Sequence, residues 1–155
     1  MHKTTVMRIL EKNHINYQIY DYSKSEAISG LDVIKVLNQD GHQVFKTLVT
    51  IGKSKQYYVF LVPVINELDL KKAALVVKEK HIEMIKSSDL LPLTGYVHGG
   101  CSPIGMKKSL VTIIDQSANN YPTIIYNGGK IGFQVETTLA DLAKLITITL
   151  ADIIK

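Results

Sequence analysis

The sequence lacks the features that would tie it to a membrane or to a disulfide framework. Its longest apolar runs, such as residues 57–65, contain a proline or a polar neighbour and are much shorter than a bilayer span. The first residues carry no apolar signal core behind their charge. A single cysteine, Cys101, cannot form an internal disulfide, which is typical of a reducing compartment. We therefore expect a cytoplasmic protein.

Metal-ligand spacing and dense charge are also missing. The five histidines, at positions 2, 14, 42, 81 and 98, include no pair four residues apart and none with a cysteine at ligand spacing. We predict no metal and no cofactor. The net charge is +4 and the lysines are spread along the chain. Charge alone therefore favours an anionic partner only weakly.

The 155 residues, 46% hydrophobic and 21% charged, are sufficient for one globular domain spanning residues 1–155. Their pattern mixes helices and strands without the regular alternation of a doubly wound sheet. This order predicts an α+β domain around a largely antiparallel or mixed sheet. We expect helices at 4–13, from Ser29 to Gly41, from Asp69 and from Thr138 to Ile146, and strands at 16–22, 44–51, 56–64 and in "SLVTIID", "YPTIIYN" and "FQVE".

Glycine is concentrated in two places. Seven of the ten glycines lie at positions 95, 99, 100, 105, 128, 129 and 132. Glycine is used where the main chain must adopt a positive φ or approach a ligand closely. The two clusters could line one pocket with backbone N–H donors, or they could be two ordinary tight turns.

The first glycine cluster surrounds Cys101 and resembles a phosphate-binding loop. Residues 95–102 fit G-x-x-x-x-G-x-S, but a cysteine stands where the phosphate-binding lysine is needed, and Pro103 opposes the helix that should follow. This excludes a nucleotide triphosphatase. His98 is three residues from Cys101, yet nothing in the sequence orients its ring. We therefore predict that Cys101 is not a nucleophile.

Lys46 is the other unusual residue, because it lies among apolar neighbours in "VFKTLV". The pleat of a strand places Val44, Lys46 and Leu48 on one face. Such a lysine is commonly a guard on an edge strand or a surface residue whose stem lies along apolar neighbours, and the functional alternative is a fixed cation in a pocket, placed to meet an ester carbonyl or a phosphate. Periodicity leaves both readings open.

Four stretches together resemble the YbaK family of free-standing aminoacyl-tRNA deacylases. They are "FKTLV" at 45–49, "LKKAA" at 70–74, "TGYVHGGCSPIGMKK" at 94–108 and "GGKIGFQVE" at 128–136. The family is related to the editing domain inserted in bacterial prolyl-tRNA synthetases and includes proteins designated EbsC. The resemblance runs essentially from end to end of the chain.

The resemblance implies a mixed-sheet α+β fold partly closed into a barrel, and a trans-editing activity that hydrolyses Cys-tRNA(Pro). Alternatives are a deacylase for Ala- or Ser-charged tRNA and a non-catalytic module that binds tRNA or the synthetase. The implied partners are the 3′-terminal adenosine and aminoacyl group of the tRNA, with prolyl-tRNA synthetase as a delivery partner. Lys46 matches the family's catalytic lysine. The implied substrate-binding residues are Tyr20, Thr47, Gly99, Gly100, Cys101, Pro103, Asn127 and Gly128.

The chemistry implied by the resemblance uses no nucleophile from the enzyme. The thiol of the substrate's cysteinyl group attacks its own ester carbonyl, in a lyase-type step that releases the tRNA and a cyclic thiolactone. Lys46 and the glycine-loop backbone would polarise the carbonyl. Where the family can carry an aromatic pocket residue, this chain has Ile28 and Ser29.

Overall fold

The structure is a computed structural model that describes residues 2–155. It contains five α-helices and eight strands within that range. The helices are α1 (Thr5–Lys12), α2 (Gly30–Leu37), α3 (Leu70–Val77), α4 (Ser87–Thr94) and α5 (Leu139–Leu145). The strands are β1 (Gln18–Asp21), β2 (Phe45–Gly52), β3 (Tyr57–Pro63), β4 (Ile82–Met84), β5 (Val111–Asp115), β6 (Ile124–Asn127), β7 (Phe133–Thr137) and β8 (Ile148–Ala151).

The strands form two sheets. One is antiparallel with the order β1-β7-β6, and the other has the order β4-β2-β3-β5-β8. In the larger sheet β2 is antiparallel to β3 and β4, whereas β5 is parallel to β3 and β8. This confirms the predicted α+β class with mixed, largely antiparallel pairing. Within residues 2–155 no closed barrel forms, and one isolated parallel bridge, Val44 to Ile125, joins the two sheets.

Side-chain caps begin four of the five helices, at the starts that the sequence predicts. The hydroxyls of Thr4, Ser29 and Thr138 accept from main-chain N–H groups three residues later, at 3.1–3.2 Å. Asp69 caps α3 in the same way. These bonds satisfy N–H groups that have no partner inside a helix.

The end of α2 differs from the prediction. The helix stops at Leu37 rather than at Gly41, because Asn38 adopts a left-handed conformation with φ of 52°. Asparagine tolerates this conformation better than most residues and can therefore replace glycine as a helix stop. Residues 80–93, where the sequence pattern fits a short strand followed by a helical turn without deciding between strand and helix, contain β4 and most of α4.

The main hydrophobic core lies between α1, the strands and α5. Val6, Met7, Leu10, Tyr126 and Leu142 are completely buried there. A second cluster packs α3 against the other face of the larger sheet. None of the helices within residues 2–155 has the length and apolar character needed to cross a membrane.

Candidate active site

A cavity of about 530 Å³ opens where β2 and β6 separate. The two strands meet at the bridge between Val44 and Ile125 and then diverge, so that Lys46 on β2 and Asn127 on β6 both line the space between them. Its volume is in the range of small-molecule sites.

The edge of β2 that borders this cavity is not covered by another strand. On that side β4 pairs only with Thr50–Gly52, and the bridge to Ile125 lies at Val44. Residues 44–49 therefore line the cavity in an unbroken run.

The remaining walls come from segments that are distant in sequence. They are the start of α2, the segment 84–90, part of the first glycine cluster and β7. The residues concerned include Ile28, Ser29, Leu31, Met84, Leu90, His98, Gly99, Cys101 and Gln134.

Lys46 is one of two lysines that line this cavity, and Lys86 is the other. The Lys46 side chain lines the space and is half-buried, and burial lowers its pKa below the ordinary lysine value, an effect that the nearby carboxylate of Glu67 partly opposes. Lys46 forms no ion pair with any residue in the range 2–155. An ammonium group in this position can meet an oxygen that develops negative charge.

Thr47 is also unusual, because its hydroxyl oxygen is buried without a hydrogen-bond partner among residues 2–155. Buried polar atoms are normally paired, and leaving one unpaired costs about 1–3 kcal/mol. Thr47 lines the cavity. A ligand in the cavity could supply the missing partner.

Tyr20 lies beside the cavity and does not line it. It is directly opposite Gln134 on β7, and Gln134 is directly opposite Asn127 on β6, so the three residues form a row across one face of the smaller sheet. The Tyr20 hydroxyl donates to Glu136, and this bond raises the pKa of Tyr20. Tyr20 therefore supports Gln134 and Asn127, the two residues of this row that line the cavity.

The two glycine clusters contact each other. Gly99 has a φ of +83°, and a Cβ atom there would lie 2.7 Å from the side chain of Ile28. A Cβ atom on Gly100 would lie 3.1 Å from the main-chain nitrogen of Ile131. The Asn127 side chain donates to the Gly99 carbonyl at 2.8 Å. These glycines therefore serve the close packing of one loop on the other.

Three of the predicted substrate-binding residues, Gly100, Pro103 and Gly128, do not line this cavity. The Gly100 N–H donates to the carbonyl of Val97, and the Gly128 N–H donates to that of Phe133, each at 2.9 Å. Pro103 borders a separate cleft of about 400 Å³. Of the predicted site, the structure thus brings five residues to the cavity wall: Lys46, Thr47, Gly99, Cys101 and Asn127.

Cys101 lines the cavity but is only 8% exposed. Burial raises the pKa of its thiol to about 12. A thiol with so high a pKa stays protonated at neutral pH and is a poor nucleophile. The environment therefore supports the prediction that Cys101 does not attack the substrate.

The sequence reasoning missed Gln134 as a wall of the cavity. In "FQVE" the strand alternation places Phe133 and Val135 in the core and turns Gln134 to the opposite face, where it is 5% exposed. The sequence offered no signal for this position, because the burial of Gln134 follows from packing between elements. No cluster of three or more metal-ligating side chains occurs within residues 2–155.

Comparison with known proteins assigns the class. The aminoacyl-tRNA editing domain model matches residues 28–145, which include every β2, glycine-cluster and β6 residue of the cavity wall. The chain belongs to the aminoacyl-tRNA editing domain family, as the YbaK resemblance implied.

Individual relatives agree with this class. The chain is 42% identical over 135 residues to the candidate Cys-tRNA(Pro)/Cys-tRNA(Cys) deacylase EbsC of Enterococcus faecalis (strain ATCC 700802 / V583), covering 86% of this chain and 82% of that protein. The crystal structure of a candidate trans-editing enzyme for prolyl tRNA synthetase is 24% identical, with a TM-score of 0.84 over 100% of this chain and 99% of that one. A hypothetical protein of known crystal structure is 15% identical, with a TM-score of 0.88 over 98% of this chain and 100% of that one. The two structures show that the fold is shared.

Proposed function

We propose that this protein is a single-domain trans-editing deacylase that removes cysteine mischarged onto proline tRNA. The observation that carries the proposal is the half-buried Lys46, which forms no ion pair within residues 2–155 and lines a cavity beside an uncovered strand edge. The family membership and the Enterococcus faecalis relative support an aminoacyl ester as the substrate.

The reaction would begin inside the substrate. The thiol of the cysteinyl group attacks its own ester carbonyl carbon, and the bond from that carbon to the ribose oxygen breaks. The ribose oxygen takes the thiol proton, so the products are free tRNA and a cyclic thiolactone, which water opens to cysteine. Because the thiol is tethered to the ester, correct orientation gives a large effective molarity.

The protein would supply orientation and charge. The Lys46 ammonium would stabilise the negative charge that develops on the carbonyl oxygen during attack. Cys101, which is buried with a pKa of about 12, would take no part in bond making. The apolar side chains of Ile28 and Leu31 at the cavity would limit the access of water to the ester.

The net charge of +4 is modest for a protein that meets tRNA. We therefore include in the proposal that prolyl-tRNA synthetase delivers the mischarged tRNA. We also propose that editing takes place in the cytoplasm, since the single cysteine is typical of a reducing compartment.

The test is deacylation of Cys-, Ala- and Pro-tRNA(Pro) by the purified protein, beside Lys46→Ala. We expect Cys-tRNA(Pro) to be cleaved fastest, and Lys46→Ala to lower kcat/KM about 100- to 1000-fold, the cost of losing one group that stabilises an oxyanion. The control is Lys53→Ala, which removes an exposed lysine from the β2–β3 turn and should leave activity unchanged.

Two results would count against the proposal. Full activity of Lys46→Ala would remove Lys46 from the reaction. Cleavage of Ala-tRNA alone would exclude thiol assistance and favour the alternative of a deacylase for another amino acid, since alanine has no thiol.

A further inference from the structure

We propose that the free edge of β2 binds the aminoacyl group as a one-residue extension of the sheet. In this arrangement the Thr47 N–H donates to the ester carbonyl oxygen, and the Phe45 carbonyl accepts from the α-ammonium group. The inference rests on the proposed function, because it assigns contacts to that substrate.

The hydrogen bonds of β2 show which main-chain groups face this edge. In an antiparallel pair, alternate residues bond to the partner strand and the residues between them point away. The Val64 N–H donates to the Val44 carbonyl at 2.8 Å, and the Gly52 N–H donates to the Gln56 carbonyl at 2.9 Å. The main-chain N–H and carbonyl groups of even-numbered residues from 44 to 52 therefore point to β3. Those of odd-numbered residues point to the free edge.

The ends of this edge have partners, but its centre has none. The Gln43 carbonyl accepts from the Ile125 N–H at 3.1 Å, and the Val49 carbonyl accepts from the Ile85 N–H at 3.3 Å. Between these bonds, no strand within residues 2–155 pairs with residues 45–48 on the cavity side. All four residues of this gap line the cavity, and the main-chain groups that point away from β3 in it are those of Phe45 and Thr47.

The unpaired groups have the spacing of a parallel bridge opposite Lys46. In such a bridge, the partner residue donates its N–H to the carbonyl before Lys46 and accepts with its own carbonyl from the N–H after Lys46. These two groups are the Phe45 carbonyl and the Thr47 N–H. An α-amino ester carries a donor and a carbonyl one carbon apart, as a residue does, and therefore matches this pair.

The fold already contains the same pattern one step earlier. Ile125 of β6 bridges Val44 in parallel orientation, after which β6 departs and the cavity begins. The aminoacyl group would occupy the next position along the edge that β6 leaves open. The specificity for an α-amino ester then comes from two main-chain hydrogen bonds. A side-chain substitution on β2 does not remove these main-chain groups.

The Thr47 N–H is well placed to act on the reacting oxygen, because the ladder with β3 holds the strand fixed before the substrate arrives. A donor that needs no reorganisation stabilises developing charge more than one that must be ordered. The Lys46 ammonium and the Thr47 N–H belong to consecutive residues, so both can approach one carbonyl oxygen.

The test replaces Thr47 by its α-hydroxy analogue, which changes the N–H to an ester oxygen and keeps the side chain. We expect kcat for Cys-tRNA(Pro) to fall about 100-fold, with KM changed less than kcat, because the bond strengthens as charge develops on the carbonyl oxygen. The thermal midpoint should change little, since the Thr47 N–H bonds to no strand.

Thr50 is the matched control, because it lies on the same strand and its N–H faces β3 opposite Tyr58. The same replacement there should lower the thermal midpoint and leave kcat unchanged. A Thr47 analogue whose kcat stays within about threefold of the parent protein would overturn the inference, as would equal loss of kcat in both analogues.

The acceptor side of the bridge is tested on the substrate. Replacing the α-ammonium of the cysteinyl group by a hydroxyl keeps the thiol and the ester, and it should raise KM about tenfold through loss of a charge-assisted hydrogen bond. An unchanged KM would overturn the assignment of the Phe45 carbonyl.

Two results distinguish failure of the proposed function from failure of this inference. If the parent protein cleaves no aminoacyl-tRNA, the proposed function fails. If Lys46→Ala is inactive while the Thr47 analogue is normal, only this inference fails.

Discussion

The β2 edge and the first glycine cluster are two walls of the same cavity, and they differ in how their polar groups are used. On β2, the Lys46 ammonium forms no ion pair and the Thr47 hydroxyl has no partner within residues 2–155. In the cluster, the Gly100 N–H and the Gly99 carbonyl are both bonded inside the protein. The thiol of Cys101 is buried.

The β2 edge at residues 44–49, which we call the strand wall, has polar groups that can interact with a ligand. The first glycine cluster, which we call the glycine wall, supports the shape of the cavity. The glycines allow the loops at 95–105 and 127–132 to touch, and this contact closes one side of the site. The proposed chemistry takes place at the strand, where polar groups remain without partners. Substitutions on the two walls should therefore have different effects.

Within the glycine wall, the largest effect is expected where an added side chain forces the loop out of shape. Gly99→Ala places a Cβ atom 2.7 Å from Ile28 and should reduce deacylation on the order of 100-fold by displacing the cavity wall. The measurement is kcat/KM for Cys-tRNA(Pro). Its control is Gly95→Ala, because Gly95 has a similar φ of +85° but meets only the side chain of Lys107.

Both alanine variants should lose about 1–2 kcal/mol of stability through the left-handed conformation. Only Gly99→Ala should lose activity. Equal activities of the two variants would show that the glycine wall does not shape the site.

The pH profile tests the strand wall. Burial lowers the pKa of Lys46, so activity that needs the ammonium should fall as pH rises through a midpoint below the ordinary lysine value. Lys46→Arg should move this fall to higher pH. A parent profile that stays flat up to the ordinary lysine range, after subtraction of spontaneous ester hydrolysis, would contradict a role for the charged amine.

The same shift has a consequence for stability. The folded state binds the Lys46 proton less tightly than the unfolded state, so the contribution of Lys46 to the free energy of unfolding should increase as pH rises from the lowered pKa towards the ordinary one. Chemical denaturation of the parent protein and of Lys46→Met across this range measures the difference.

A smaller effect is expected from the unpaired hydroxyl of the strand wall. Thr47→Val removes a buried oxygen without a partner and should raise the free energy of unfolding by about 1 kcal/mol. It should also lower kcat/KM about five- to tenfold if the hydroxyl bonds the substrate.

Ser117→Ala is the comparison for Thr47→Val. The Ser117 hydroxyl is also buried without a partner within residues 2–155, but Ser117 does not line the cavity. It should stabilise the protein and leave activity unchanged. A Thr47→Val variant that behaves in the same way would reduce Thr47 to a packing residue.

The smallest effect on activity is expected from substitution of Cys101, although cysteine is the most reactive residue type in the glycine wall. Cys101→Ser should keep activity within about threefold of the parent, because a buried thiol with a pKa of about 12 is not a nucleophile at neutral pH. Deacylation assays with circular dichroism as the folding control measure this. A loss of two or more orders of magnitude with the fold intact would overturn it.

Local signals predicted much of the fold. The caps at Thr4, Ser29 and Thr138 and the hairpin of β2 and β3 lie where short-range patterns placed them, because these features depend on neighbours within a few residues. The α2 stop at Asn38 was missed because glycine is the more common residue in the left-handed conformation.

The candidate site was predicted only in part. Lys46 stood out as a charge in an apolar strand, and the glycine clusters stood out by composition. The presence of Gln134 in the cavity wall, and the absence of Gly100, Gly128 and Pro103 from it, depend on how strands and loops pack, which no local pattern contains.

The sequence by itself determined the family, the mixed α+β class and the residue types of the site, because motifs and periodicity are local properties of the chain. Only the tertiary structure decided which of these residues meet. The cavity exists because β6 leaves β2 after a single bridge, and that divergence follows from the packing of two sheets. Periodicity left both an edge guard and a pocket cation open for Lys46, and the tertiary structure adds that Lys46 lies half-buried in the cavity wall.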